Sequence, residues 1–158
     1  MTINDPNFSY CVQVVLEDEG GLVNDPNDPG GLTNFGISQA SYPSLDIANL
    51  TEDQAAQIYY DDYWVPFNCG KLPVHLDLWF MTACVMSGGE TATKILQQLA
   101  GVTSDGIFGP LTEKAVAGLP ATSQHEYLTL YAQHLMGLSD WSSFAKGWLN
   151  RLFRVAAL

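Results

Sequence analysis

The chain has 158 residues, 47% of them hydrophobic, enough to bury one substantial core and typical of a globular protein rather than a disordered one. Its formal charge is −11, and residues 1–70 hold eleven of the seventeen acids with no Lys or Arg. That balance argues against a nucleic-acid partner, whose phosphates need a basic face, and reads as a solvated acidic surface.

No run of about 18 apolar residues occurs, so no membrane insertion is expected. The opening Met-Thr-Ile-Asn-Asp-Pro has neither a basic nor a hydrophobic region, so no Sec-type signal is expected. Cys11, Cys69 and Cys84 form an odd set without metal-ligand spacing, and His75, His125 and His134 do not cluster. The cysteines read as small buried hydrophobes in a reducing compartment, and neither a metal site nor a cofactor is expected.

In chain order, Phe8, Cys11, Val12, Val15 and Leu16 mark one apolar helix face. Asp5 is the expected N-cap, Pro6 the first helical residue and Gly20 the stop. At about 100° per residue, Glu19 falls roughly 20° from Phe8 on the buried face, and Glu17 roughly 180° away toward water. Glu19 thus looks into the protein, at the negative end of a helix dipole beside two further acids, a setting suited to a general acid.

Gly20-Gly21, Asn24-Asp25-Pro26 and Asp28-Pro29-Gly30-Gly31 are strong turn signals, and residues 32–37 form a brief extended run. Asp28 and Thr33 are expected to project from this hairpin or loop back toward Glu19. A buried acid facing a carboxylate and a hydroxyl is a layout for splitting a glycosidic bond. Asp25 and Asn34 are further candidate substrate-binding residues. The alternative reading of Asp25 and Asp28 is plain turn chemistry.

Thr51-Glu52-Asp53-Gln54 is a capping box opening a helix over residues 52–63 that should bury Ala55, Ile58 and Tyr59. Tyr60, Tyr63 and Trp64, beside Asp61 and Asp62, are candidate sugar-stacking rings, or simply a helix end packing on a neighbour. Residues 73–86 are apolar almost all round and read as the central buried helix, ended by Ser87-Gly88-Gly89. A shorter helix over 90–100 should bury Ala92, Ile95, Leu96 and Leu99. The segment Asp105-Gly106-Ile107-Phe108-Gly109-Pro110-Leu111-Thr112 is a tight turn starting a helix at Pro110. Ser123 and Glu126 form a further candidate capping box. The last helix is expected to bury Trp141, Phe144, Ala145, Trp148, Leu152 and Val155, with Arg151 and Arg154 toward its C-terminal end.

Asp18-Glu19-Gly20-Gly21, Asn24-Asp25-Pro26-Asn27-Asp28-Pro29-Gly30-Gly31 and Thr33-Asn34-Phe35-Gly36-Ile37-Ser38 together resemble the signature of glycoside hydrolase family 108. These are lysozyme-like N-acetylmuramidases found as phage endolysins and in some bacterial secretion systems. The resemblance implies Glu19 as the catalytic acid. The order Glu19, Asp28, Thr33 is also similar to the triad of phage T4-type lysozymes, one residue short before the threonine. The family's usual His before this Glu and aromatic after Gly-Gly are here Asp18 and Leu22. The Asp105–Thr112 segment resembles the turn of peptidoglycan-binding modules.

The expected fold is therefore mainly α: a lysozyme-like helical fold with a small β-hairpin or loop at the active site. A lysozyme-like catalytic region over 1–101 is expected to be followed by a helical peptidoglycan-binding-like region over 102–158, packed on it as one compact unit. The expected function is hydrolysis of the β-1,4 bond between MurNAc and GlcNAc of bacterial peptidoglycan by a monomer. The enzyme would be released from the host cytoplasm through a holin as a phage endolysin. Rival readings are a lytic transglycosylase, a chitinase-like glycosidase, or a non-catalytic wall-binding or virion module.

Overall fold

The first helix, α1 (Pro6–Glu19), begins and ends where its capping chemistry dictates. Asp5 Oδ1 accepts the N–H groups of Asn7 and Phe8, both at 3.1 Å, and Pro6 follows it as the first helical residue. Gly20 takes a left-handed φ of 75° and donates its N–H to the Leu16 carbonyl, so Glu19 is the last helical residue. Phe8, Cys11, Val12, Val15 and Leu16 are all buried, as their spacing predicts, and Val14 joins them.

The computed structural model describes residues 3–24 and 30–158. After α1 come β1 (Val23–Asn24), β2 (Leu32–Asn34) and β3 (Ile37–Ser38), followed by α2 (Glu52–Tyr59) and α3 (Val74–Ser87). The remaining helices are α4 (Gly89–Leu99), α5 (Pro110–Val116), α6 (Ser123–Met136) and α7 (Trp141–Ala156). The described residues are thus mainly helical with one small antiparallel sheet, ordered β1-β2-β3. They form two compact units, Met1–Asp62 and Tyr63–Leu158. Within the second unit, α3 and α4 pack against α6.

In the first unit, α1 packs on α2, and the sheet packs through β2 on a 3-10 turn at Ile47–Asn49. Thr33 pairs with Val23 on one side and Ser38 on the other. The run expected to be extended over 32–37 is in fact two strands joined by a two-residue turn at Phe35 and Gly36. The α2 capping box forms: the Gln54 N–H reaches Thr51 Oγ1 at 3.3 Å, and the Thr51 N–H reaches Gln54 Oε1 at 2.9 Å. This helix ends at Tyr59 and passes into a π-helical turn at Tyr60–Trp64, shorter than the 52–63 helix expected.

In the second unit α3 is buried through Leu76, Asp77, Leu78, Phe80, Met81, Thr82, Ala83 and Cys84. Gly88, at φ 81°, turns the chain sharply into α4. Tyr127 and Tyr131 stack at 6.5 Å between ring centroids, beside Phe80. The Tyr127 hydroxyl donates to the Ala92 carbonyl, tying α6 to α4, while burial pushes its ionisation well up.

The Asp105–Thr112 turn gains a physical meaning here. Gln97, buried at 1% exposure, accepts the Gly106 N–H at 2.9 Å. Its amide donates to Asp105 Oδ1 at 2.7 Å, the Ile107 carbonyl at 3.0 Å and Thr112 Oγ1 at 3.0 Å. One α4 side chain therefore anchors the whole turn and positions α5, whose seven residues are too few to hold a helix alone.

Two expectations fail in this unit. The Ser123/Glu126 capping box does not form, because Thr122 occupies the cap position with helical angles (φ −68°, ψ −16°) and Ser123 is already inside the helix. A capping box needs an extended N-cap residue. In α7 only Leu152 and Val155 are buried; Trp141, Ala145 and Trp148 are half-buried and Phe144 is exposed. The apolar stripe is real, but its N-terminal half lacks a full cover.

Candidate active site

Phe35 (φ 51°) and Gly36 (φ 74°) both lie in the left-handed region, as a two-residue hairpin turn between Asn34 and Ile37 requires. Glycine adopts that region freely, whereas a bulky residue such as Phe35 gives up about 1–2 kcal/mol to do so. The strain is held by tertiary structure. The Tyr59 hydroxyl, at the end of α2, donates to the Phe35 carbonyl at 3.0 Å.

The tip of this hairpin closes onto Glu19. A Cβ placed on Gly36 would lie 2.7 Å from Glu19 Oε2, 2.9 Å from Glu19 Cγ and 2.7 Å from the Tyr59 hydroxyl oxygen. Only a residue without a side chain permits so close an approach. The carboxylate is thus wedged between the end of its own helix, the strained turn and a tyrosine whose ring is buried. Glu19 is half-buried and Glu17 exposed, the division that the helical spacing implies.

Thr33 sits in the central strand β2, two residues before the strained turn, and its hydroxyl donates to the Gly31 carbonyl at 3.3 Å. Asp28 and Asp25 lie outside the described residues. Asn34, expected at the sugar, is buried at 6% exposure and gives its amide to the carbonyls of Ile47 (3.2 Å) and Leu50 (3.4 Å). Those bonds fasten β2 to the 3-10 turn beside it. Tyr60 packs edge-on against Phe8 with ring centroids 5.0 Å apart. Tyr63 and Trp64 belong to the second unit, where the Tyr63 carbonyl accepts the Cys69 thiol at 3.6 Å and Trp64 is buried.

Gly36 and Tyr59 are the site residues that reading by residue type overlooks. Tyr59 presents itself in the sequence only as a core position of a helix. The Phe35-Gly36 dipeptide is the one legible signal, since a glycine between two strand-like segments marks a turn or a close backbone approach. Among the described residues no cluster of three or more His, Cys, Asp or Glu is placed to hold a metal ion. No helix there is long and apolar enough to cross a membrane.

Residues 12–88, which run from the second half of α1 through the hairpin, α2 and α3, match the family described as Glycosyl hydrolase 108. Twelve solved chains are similar to this one. Among them, SagA of Brucella abortus is 34% identical, with a TM-score of 0.83, over 95% of this chain and 91% of its own. The chain belongs to the glycosyl hydrolase 108 family. None of the curated proteins compared matches it. The fold is accordingly the lysozyme-like, mainly α fold, and membership supports a glycoside hydrolase of lysozyme type acting on peptidoglycan.

Proposed function

We propose that this family 108 hydrolase is an N-acetylmuramidase, cleaving the β-1,4 bond between MurNAc and GlcNAc with Glu19 as its general acid. The observation that carries the reading is the wedged carboxylate, held against Gly36 at the mouth of a strained hairpin. An acid so confined can deliver its proton to a glycosidic oxygen without first reorganising. As that bond breaks, the sugar ring develops positive charge, which a second carboxylate stabilises directly or through a positioned water. Asp28 is our candidate for that second group and Thr33 for its partner, on the strength of their spacing from Glu19. Asp25, Tyr60 and Tyr63 remain candidates for sugar contact on sequence grounds, whereas the Trp64 ring, at 3% exposure, is a core residue with no face left for a sugar. For Asn34, whose amide already serves two backbone carbonyls, the supported role is holding the hairpin.

The test is Glu19→Gln, which keeps size and loses the transferable proton. Release of reducing ends from purified peptidoglycan should fall about a thousandfold or more while the circular dichroism spectrum is kept. Near wild-type turnover in the folded variant would refute the assignment. Asp28→Asn and Thr33→Ala should cost less. Mass spectrometry of the products distinguishes reducing MurNAc ends, expected here, from the 1,6-anhydro ends of a transglycosylase.

The setting we propose is host lysis by a monomeric phage endolysin released through a holin, which rests on the family resemblance. Cytoplasmic expression should then lyse bacteria only when a pore-forming protein is co-expressed. Lysis without the pore would overturn that setting and leave the chemistry untouched.

A further inference from the structure

The small sheet has two faces, and only one of them supports the fold. Side chains directly opposite one another in an antiparallel pair share a face, and neighbours along a strand alternate. Asn34 and Ile37 are paired and buried. Gln39 follows on the same side, its N–H on the Leu32 carbonyl at 2.8 Å. Both polar side chains of this inner row serve the segment that follows the sheet. Asn34 reaches the carbonyls of Ile47 and Leu50, and Gln39 those of Tyr42 (3.1 Å) and Leu45 (3.0 Å).

The outer row is Val23, Thr33 and Ser38, one residue from each strand. With strands about 4.8 Å apart, it is roughly 10 Å long. Val23 is 57% exposed, and Thr33 and Ser38 are half-buried. Ser41 prolongs the row past β3: Ser38 Oγ donates to Ser41 Oγ at 3.0 Å and accepts the Ser41 N–H at 3.2 Å. The Ser38 hydroxyl is thus engaged in holding Ser41, which is exposed and whose own hydroxyl can still donate. Eleven acids and no Lys or Arg stand in the first unit, yet these four positions are uncharged.

We propose that this outer row is a glycan-binding track of the hydrolase, with Val23 and Ser41 as specificity-determining residues on either side of Thr33. The inference rests on the reading of Glu19 and Thr33 as site residues. A glycan cleaved at Glu19 runs over the hairpin whose tip is wedged against that acid, and Thr33 stands at the middle of the row. The Val23 side chain packs on the C–H face of a sugar ring, and the Ser41 hydroxyl donates to a hydroxyl or acetamido oxygen of a neighbouring sugar. A row of C–H and hydroxyl groups without charge matches an uncharged ring. It also lets an anionic wall polymer cross an acidic unit where no carboxylate repels it.

The test is steady-state kinetics on soluble, uncross-linked glycan strands of peptidoglycan, with Kd for the same strands titrated in a Glu19→Gln background. Val23→Ser should raise KM and Kd about fivefold, and Ser41→Ala about threefold to tenfold. In each, kcat should stay within about twofold, as expected for contacts made equally in ground and transition states. Asn24→Ser, next along β1 and on the other face, should leave KM and Kd within about twofold. So should Ser9→Ala, about 15 Å from Glu19 along α1. All four should keep wild-type circular dichroism. Unchanged KM and Kd in Val23→Ser and Ser41→Ala, a loss confined to kcat, or an equal effect of Asn24→Ser would overturn the proposal. Turnover retained by Glu19→Gln would refute the acid, while the Kd shifts still decide the track, so the two readings fail separately.

Discussion

Substituting Gly36 by Ala tests whether the hairpin tip sets the position of Glu19. The added Cβ would meet Glu19 Oε2 and the Tyr59 hydroxyl at 2.7 Å, well inside van der Waals contact. Both obstacles are the far ends of side chains, so they yield before the backbone does, and the carboxylate is displaced by a good fraction of an ångström. The cost in stability comes mainly from holding alanine at φ 74°, about 1–2 kcal/mol, or a fall in Tm of roughly 2–8 °C. The cost in catalysis is larger, because a misplacement approaching 1 Å lowers turnover by about a hundredfold. Gly101→Ala supplies the control: φ there is 68°, but a Cβ meets nothing within 4 Å. It should lose similar stability and keep near wild-type activity. Initial rates on purified peptidoglycan, with thermal melts of both variants, make the comparison. If Gly36→Ala kept turnover within about threefold of wild type, the close approach would not hold the acid in its productive position, and the reasoning would fail.

Tyr59→Phe removes the donor to the Phe35 carbonyl and should cost about 1 kcal/mol, with a drop in kcat that Glu19→Gln then masks; an unchanged kcat would free the turn from this role. Gln97→Leu strips the Asp105–Thr112 turn of its buried partner and should cost roughly 2–4 kcal/mol in urea melts, destabilising α5 first. The Ile107 N–H and the Gln97 amide hold the Asp105 carboxyl below its usual range. Its contribution is therefore present above about pH 4 and lost as the pH falls below it, a dependence that Asp105→Asn should flatten. At the alkaline end, burial pushes the Tyr131 phenol up to about 12, against the opposing effects of its Ser87 hydrogen bond and of Arg151. The stability it provides is complete below about pH 10 and lost as the pH rises through 12, so ultraviolet titration should show its ionisation arriving with unfolding.

Sequence alone determined whatever rests on neighbours in the chain. Asp5, Pro6 and Gly20 bound α1 because capping bonds reach only two to four residues. The 3.6-residue period separated Glu19 from Glu17, and the Thr51–Gln54 box opened α2 where it was expected. The same locality explains the failures. Ser123 and Glu126 have the right spacing for a box, but the chain is already turning at Thr122. The stripe on α7 shows which face is apolar, while only the surrounding elements decide how much of it is covered. Tertiary structure alone brought Tyr59 to a carbonyl twenty-four residues away, gave the Asn34 amide to Ile47 and Leu50, and made Gln97 the anchor of a later turn. It also decided that the backbone of Gly36 rests against Glu19. Such contacts depend on how separate elements approach one another, and no periodicity along the chain encodes that approach.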